Sequence, residues 1–432
     1  MQQSECMAPP IDLHTMENTD KIKARETTDI RTEDNSIYGG LSIRYYWFFI
    51  CFMVLLSMFG SFVNDMYVPA LPEMADIFGC STSTAQLGLS FGMMGLGAGQ
   101  IIFGPVSDKY GRKIVLVTGM LIFSIGGMAS VFSKDINFFL GCRFIQGIGA
   151  STGYFLARTI PADVTGGRSL ARMMALIGAI NGIAPASAPV LGGIFTHWLG
   201  WKSIFIFLTI QAILIVLVSP LLKETLPKSQ RAKGSLIQAF KGYGLLLQKR
   251  NFMTHVLLKG AALGILFAYI SSATFIIQRH YGFSDVIFGL FMGGNALFVV
   301  AGSMSALKFR LLKRAGVYGA WGLIPVIGLQ YFALCMIDSF ILYEVLNCLM
   351  LFCLGLIFTM SNSLAMNEGR ADAGRASAIL GVTGYIFGAV VTPLVGLDNI
   401  LRSTSLVLCG LLIFIVLFAC LSKRIAPDLN NS

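Results

Sequence analysis

Twelve runs of mostly apolar residues, each about as long as a lipid bilayer is thick, follow one another along this chain. They fall near residues 45–66, 83–104, 113–133, 137–161, 172–195 and 202–221, and again near 252–276, 284–306, 317–337, 339–361, 375–396 and 402–422. A helix rises about 1.5 Å per residue, so roughly 20 apolar residues cross a hydrocarbon core about 30 Å thick. That core offers no water to backbone N–H and C=O groups, and a helix satisfies them within the segment. The pattern predicts an all-α integral membrane fold with twelve transmembrane helices. Composition agrees: charged residues are 12% of the chain and apolar ones 55%, against roughly a quarter and under half in soluble domains.

The longest internal polar segment, Lys223 to Arg250, carries seven Lys/Arg and divides the runs evenly. It predicts a cytoplasmic linker, 223–250, between six-helix halves at 45–222 and 251–422. Flanking tails take up 1–44 and 423–432. The first tail holds eight acidic and five basic residues and few large apolar ones, which predicts a disordered cytoplasmic segment. No cleavable signal is read there, because apolar residues begin to accumulate only near Tyr45; a later start such as Met16 is the alternative.

Charge sidedness fixes the expected orientation. With the N-terminus cytoplasmic, and Arg158 grouped with the loop after the fourth run, 26 of the 32 Lys/Arg fall on the cytoplasmic side. Four fall outside (Lys134, Lys202, Arg279 and Arg402), and Arg143 and Lys259 lie within runs. This is the positive-inside pattern for both termini cytoplasmic. The net charge of +10 therefore points to lipid and membrane insertion, not to a basic face for nucleic acid. The nine cysteines form no CxxC pair and the four histidines no ligand spacing, so neither a disulfide framework nor a metal site is expected. The halves also echo each other: GRSLARMMALIGA (167–179) opens the fifth run and GRASAILGVTGYI (374–386) the eleventh. Repeats of this kind suit two bundles that rock about a midplane site.

Four segments carry chemistry. In GPVSDKYGRK (104–113), Gly104 and Gly111 permit a tight turn while Asp108, Arg112 and Lys113 crowd it with charge. Asp108 can face a helix N-terminus or pair with a neighbouring cation. This segment resembles the loop signature of the major facilitator superfamily, with Val106 at the usual Leu position. In CRFIQGIGASTGY, from Cys142, an arginine falls inside a run, where a charge costs roughly 2.5–3.5 kcal/mol on insertion scales. Arg143, Gln146, Gly147 and Gly149 resemble the superfamily's R-x-x-Q-G-x-G motif, associated there with proton coupling; a snorkelling structural arginine is the alternative.

The third segment, SFVNDMYVPALP (61–72), places Asp65 near the outer end of the first run. A carboxylate in low dielectric takes up or releases a proton according to its neighbours; a helix-end structural aspartate is the other reading. The segment resembles the first-helix signature of the drug/proton antiporters, particularly the Bcr/CflA (bicyclomycin-resistance) family. The fourth, INGIAPASAPVLGGIF (180–195), ends in Pro189, Gly192 and Gly193 and also holds Pro185. It resembles the antiporter motif G-P-x-x-G-G, with Ala188 before the proline and Ala184 and Ala175 at earlier glycine positions. A helix kept slender for packing alone reads much the same. Asn64, Tyr67, Asn181, Lys259, Asn295 and Glu344 are further candidates for a central cavity.

The resemblance implies a proton-coupled secondary transporter of the bacterial inner membrane that exports small amphipathic compounds by alternating access, working as a monomer. It implies Asp65 as proton or substrate acceptor, Arg143 as its electrostatic partner, and Asp108 and Arg112 as gate-loop residues. No cofactor is expected, because the chain has no GxxxxGK[ST] nucleotide loop and the proton gradient supplies the energy. The expected partners are a small-molecule substrate, protons and membrane lipid, with no nucleic acid. A dedicated exporter of a siderophore or other metabolite, an importer of a nutrient and a transport-dead receptor are the alternatives. No nucleophile–base or metal constellation suggests an enzyme.

Overall fold

The computed structural model describes residues 43–164, 167–232 and 236–425; the tails expected at 1–44 and 423–432 fall almost wholly outside them. The described chain is helical throughout, with long helices α1 (Ile43–Asp65), α2 (Thr82–Tyr110), α3 (Arg112–Val131), α4 (Ile136–Val164), α5 (Gly167–Leu199) and α6 (Lys202–Val218). The second set is α7 (Arg250–Phe275), α8 (Asp285–Ala306), α9 (Leu312–Phe332), α10 (Phe340–Glu368), α11 (Ala373–Leu394) and α12 (Ile400–Ile425). Ten of these stretches are long and apolar enough to cross a membrane among the described residues. The other two, α4 and α5, are 29 and 33 residues long, ample for a span. Helix α4 dilutes its apolar content with Arg143, Gln146, Arg158 and Asp163, and α5 with Gly, Ala, Ser and Pro.

Packing repeats between the halves. In the first, α2 and α3 pack on α4, α1 on α5 and α3 on α6; in the second, α8 and α9 pack on α10, α7 on α11 and α9 on α12. The halves meet where α2 packs on α11 and α5 on α8. Local signals repeat too. Ser81 and Ser284 cap α2 and α8, each hydroxyl accepting from the amide three residues on, Thr84 N at 3.2 Å and Ile287 N at 3.4 Å.

Two features depart from expectation. The linker contains a helix, Leu236–Leu247, which packs against α2, α7 and α11. Its polar flanks mask a packing face made by buried Leu246 with Tyr243 beside it, while Leu245 and Leu247 stay exposed. Arg158, grouped with loop cations on sequence, lies inside α4, five residues before Asp163. The helix continues through Pro161 to Val164, so the fourth run ends later than its apolar content suggests.

Candidate functional site

The turn joining α2 to α3 defines one end of the bundle, here called the gate-loop end. Gly111 adopts φ of 107°, open to glycine and strained for other residues, and this sharp turn starts α3 immediately. The Arg112 side chain folds back, 7% exposed. Its Nε donates to Asp163 Oδ2 at 2.8 Å, and Nη1 donates to Ser107 Oγ at 2.7 Å and to Asp108 Oδ1 at 2.5 Å. Asp108 thus pairs with a cation. The α3 N-terminus goes instead to Glu224, whose carboxylate accepts from Arg112 N at 2.9 Å and Lys113 N at 3.3 Å, where a helix favours negative charge. Lys113 Nζ donates to Pro220 O at 3.1 Å, and Asp163 also accepts from Thr225 Oγ1 at 3.3 Å. Gly104 lies near the linker, where an added Cβ would sit 3.8 Å from the Tyr243 hydroxyl. Burial raises the pKa of that Tyr243 hydroxyl above its ordinary value, against the opposing pull of Arg375.

Asp163 and Glu224 were not singled out from sequence. One follows a helical run and the other opens a basic linker, positions where acidic residues ordinarily face water.

Deep in the first half, Arg143 is fully buried. Its Nη1 donates to Gln146 Oε1 at 2.7 Å, Nε to Gly88 O at 3.3 Å and Nη2 to Val63 O at 3.3 Å. The guanidinium carbon lies 4.3 Å from the Tyr67 ring centroid and 5.7 Å from that of Phe205, a cation–π cage in a dry site. The arginine therefore ties α4 to the backbones of α1 and α2. The expected Asp65–Arg143 pair is not formed: among the described residues, carbonyls, an amide and rings satisfy the guanidinium. It points towards the Val63 carbonyl, two residues before Asp65.

Asp65 is the last residue of α1 and is half-buried. Its carboxylate makes no ion pair or hydrogen bond among the described residues. Asn64 beside it is buried, with Oδ1 unpartnered. Helix α5 closes over this point. A Cβ on Gly192 would strike Met66 O, and one on Gly193 would strike Asp285 O. Pro185 and Pro189 lie within the same unbroken helix. Pro189 is buried, and its carbonyl would lie 2.6 Å from a Cβ on Gly289 of α8. The Asn181 side chain lies outside the described residues.

The second half holds a separate polar cluster. Asn295 Nδ2 donates to Glu344 Oε1 at 2.6 Å and to the Tyr269 hydroxyl at 2.7 Å, while Cys348 Sγ donates to Asn295 Oδ1 at 3.1 Å. This network links α7, α8 and α10 and brings together two expected cavity residues. Lys259 stands apart, its Nζ donating to Asn362 Oδ1 at 2.9 Å. Among the described residues, five hydrogen bonds join the halves at the end opposite the gate loop. Ser83 Oγ donates to Pro393 O, Gln86 Nε2 to Ser271 O and Gln278 Nε2 to Pro69 O; Arg279 donates to Pro72 O and Asp76 Oδ1.

Residues 50–393 match the sequence model of the Major Facilitator Superfamily. The chain is 33% identical over 371 residues to "Uncharacterized MFS-type transporter YdgK" of Bacillus subtilis (strain 168), covering 84% of this chain and 90% of that one. It is 31% identical over 254 residues to a chloramphenicol resistance protein of Pseudomonas aeruginosa, covering 57% and 59%. With multidrug resistance protein MdtL of Citrobacter koseri (strain ATCC BAA-895 / CDC 4225-83 / SGSC4696) it shares 27% identity over 346 residues, covering 78% and 85%. Among solved structures it resembles a bacterial homologue of the human lysosomal transporter Spinster, inward-facing and unoccupied, at TM-score 0.71 and 16% identity over 89% of this chain and 98% of that one. At that identity the likeness concerns the fold.

Proposed function

Because the chain belongs to the Major Facilitator Superfamily, a family of transporters, we propose that this multi-pass membrane protein is a proton-coupled exporter of small amphipathic molecules. In this reading it is of the Bcr/CflA type and resides in a bacterial cytoplasmic membrane with both termini inside. The observation that carries the reading is Asp65. It is a half-buried carboxylate without an ion-pair partner among the described residues, and it sits at the end of α1, where α5 packs against that helix. A group so placed changes its preference for a proton as its surroundings alternate between wet and dry. Two relatives are named for resistance to chloramphenicol and to multiple drugs, which supports export over uptake.

With the gate-loop end cytoplasmic, as the Lys/Arg distribution favours, the five hydrogen bonds between halves seal the external side. In the exporter cycle a state closed on that side is the one in which a substrate loads from the cytoplasm. Proton entry at Asp65 in the outward state and its release inward drive the return. Moving one charge through 100 mV supplies about 2.3 kcal/mol.

Everted vesicles loaded by a pH gradient test the reading. Efflux of a fluorescent dye such as ethidium should follow the gradient, collapse with a protonophore, and vanish in Asp65→Asn at equal expression. Gradient-dependent efflux that persists undiminished in that variant removes Asp65 from coupling.

A further inference from the structure

Helix α7 does not stop at Phe275 but widens into a π turn, Ile276–His280, closed by Tyr281 N donating to Ile276 O at 3.0 Å. Helix α9 ends the same way, in a π turn at Ala333–Ile337 closed by Asp338 N donating to Ala333 O at 3.0 Å. The ends of the two turns touch, with His280 Nε2 2.6 Å from Asp338 Oδ1. An ionised carboxylate only accepts, so the imidazole nitrogen carries the hydrogen. Asp338 has φ of 51° and ψ of 51°, the one positive φ outside glycine among the described residues. That conformation is strained for a residue with a side chain, and it places the carboxylate on the imidazole.

The first of these turns also reaches the other half. Gln278 donates to Pro69 O at 3.0 Å, and Arg279 donates to Pro72 O at 2.7 Å and to Asp76, three of the five hydrogen bonds between the halves. The next residue, His280, is tied to its own half. A π turn holds one residue more than an α turn. Relaxing it would swing Gln278 and Arg279 round by about 100° per residue, away from the first half. Around His280, Arg279 is bound to Asp76, Tyr281 offers a ring centroid at 4.7 Å, and Glu344 of α10 is held by Asn295. Helix α8, which also packs on the turn, begins with Asp285. The hydrogen bond from His280 keeps the Asp338 carboxyl below its ordinary value, so it stays anionic over the range in which a histidine titrates.

We propose that the contact between His280 and Asp338 is a pH-sensitive latch on the outer seal. A proton on His280 holds the turn in the shape that lets Gln278 and Arg279 bind the first half, and its loss frees the outer end to open. A closed outer end and a protonated His280 therefore favour each other. For its consequence the latch rests on the exporter reading, in which acid outside then restrains the very opening that admits protons. Its test reads conformation alone.

Spin labels are carried on p-acetylphenylalanine introduced at Lys202 and Arg402, exposed positions in the two halves near the outer end, so the native cysteines stay in place. Double electron–electron resonance on the full-length protein in phosphatidylcholine discs then reports open against closed outer ends. Asp65→Asn serves as the background, so that the coupling carboxylate adds no pH dependence of its own. Between about pH 5 and 8 the open-to-closed ratio should rise about fivefold, the difference between a hydrogen bond to a charged group and one to a neutral group. His280→Gln and Asp338→Asn should each flatten that rise. Arg279→Gln, which breaks the seal directly, should raise the ratio at every pH and shows that the labels detect opening. No rise, a fall, or a rise that survives in both His280→Gln and Asp338→Asn overturns the latch. So does an Arg279→Gln protein as closed as its parent, since there is then no seal for the latch to hold. Ethidium efflux from everted vesicles, measured separately, tells failure of the latch from failure of proton-coupled export.

Discussion

Arg112 holds Asp163 across the gate-loop end of the first half, Nε to Oδ2 at 2.8 Å, while the same guanidinium also grips Asp108. One side chain thus ties the start of α3 to the ends of both α2 and α4. Breaking a largely buried pair by removing one partner costs about 3 kcal/mol or more, because the other charge is left uncompensated. Arg112→Met should therefore lower the apparent melting temperature of the detergent-purified protein by roughly 5 °C or more. Asp163→Asn should cost less, since Asp108 still pairs with the cation. A double-mutant cycle on Arg112 and Asp163 should give a coupling of about 1 kcal/mol; additive melting shifts would mean the contact is incidental.

Glu224 caps α3 through two backbone amides. Glu224→Gln retains a hydrogen-bond acceptor but loses the charge that complements the helix N-terminus, worth about 0.3–1 kcal/mol. The expected phenotype is a small stability loss that shrinks further in 1 M salt. Thermal melts at two ionic strengths check this, and an equal loss at both would point to geometry instead of charge.

Arg143 reaches three acceptors on three helices. A lysine keeps the charge but cannot present a planar fork to all of them. Arg143→Lys should consequently retain about a tenth of transport or less, with normal amounts of protein in the membrane. Gln146→Leu, which removes a single acceptor, should be milder. Initial efflux rates normalised to protein decide the matter, and full activity in the Lys variant would reduce Arg143 to a general counter-charge.

Asn295 is the hub between Glu344 and Tyr269. Asn295→Leu leaves both partners unmatched in a buried place, a cost of about 1–3 kcal/mol. The variant should melt at lower temperature, and Asn295→Asp should fare worse, because it sets a second carboxylate against Glu344. If the Asp variant proves as stable as the parent, the cluster is wet and open to substrate.

Length and hydropathy made the helical bundle legible, because a bilayer permits few solutions for an apolar run of about 20 residues. The charged turn at Asp108–Lys113 was legible for a similar reason: glycines and opposite charges packed into so few residues leave little freedom. Partner choice was not. Sequence suggested Asp65 for Arg143, yet main-chain carbonyls of Val63 and Gly88 took that role, and carbonyls are invisible in a string of side-chain letters. Asp163 and Glu224 escaped notice because their meaning comes from the helix opposite, on another part of the chain. The linker helix was hidden by averaging: polar flanks at both ends outweighed the apolar face within.

The contact between α5 and α8 has a kinetic consequence. Gly193 of α5 lies on the Asp285 carbonyl, and Gly289 and Gly293 of α8 lie on those of Pro189 and Ala186. Main chain therefore touches main chain, with few side chains between. Long side chains give up rotamer freedom, up to about 2 kcal/mol each, whenever an interface traps them. Glycine has none to give. A seam of this kind parts and rejoins with little cost in side-chain entropy, so in the alternating-access reading proposed above a stroke of the two halves is not slowed by side chains searching for their places.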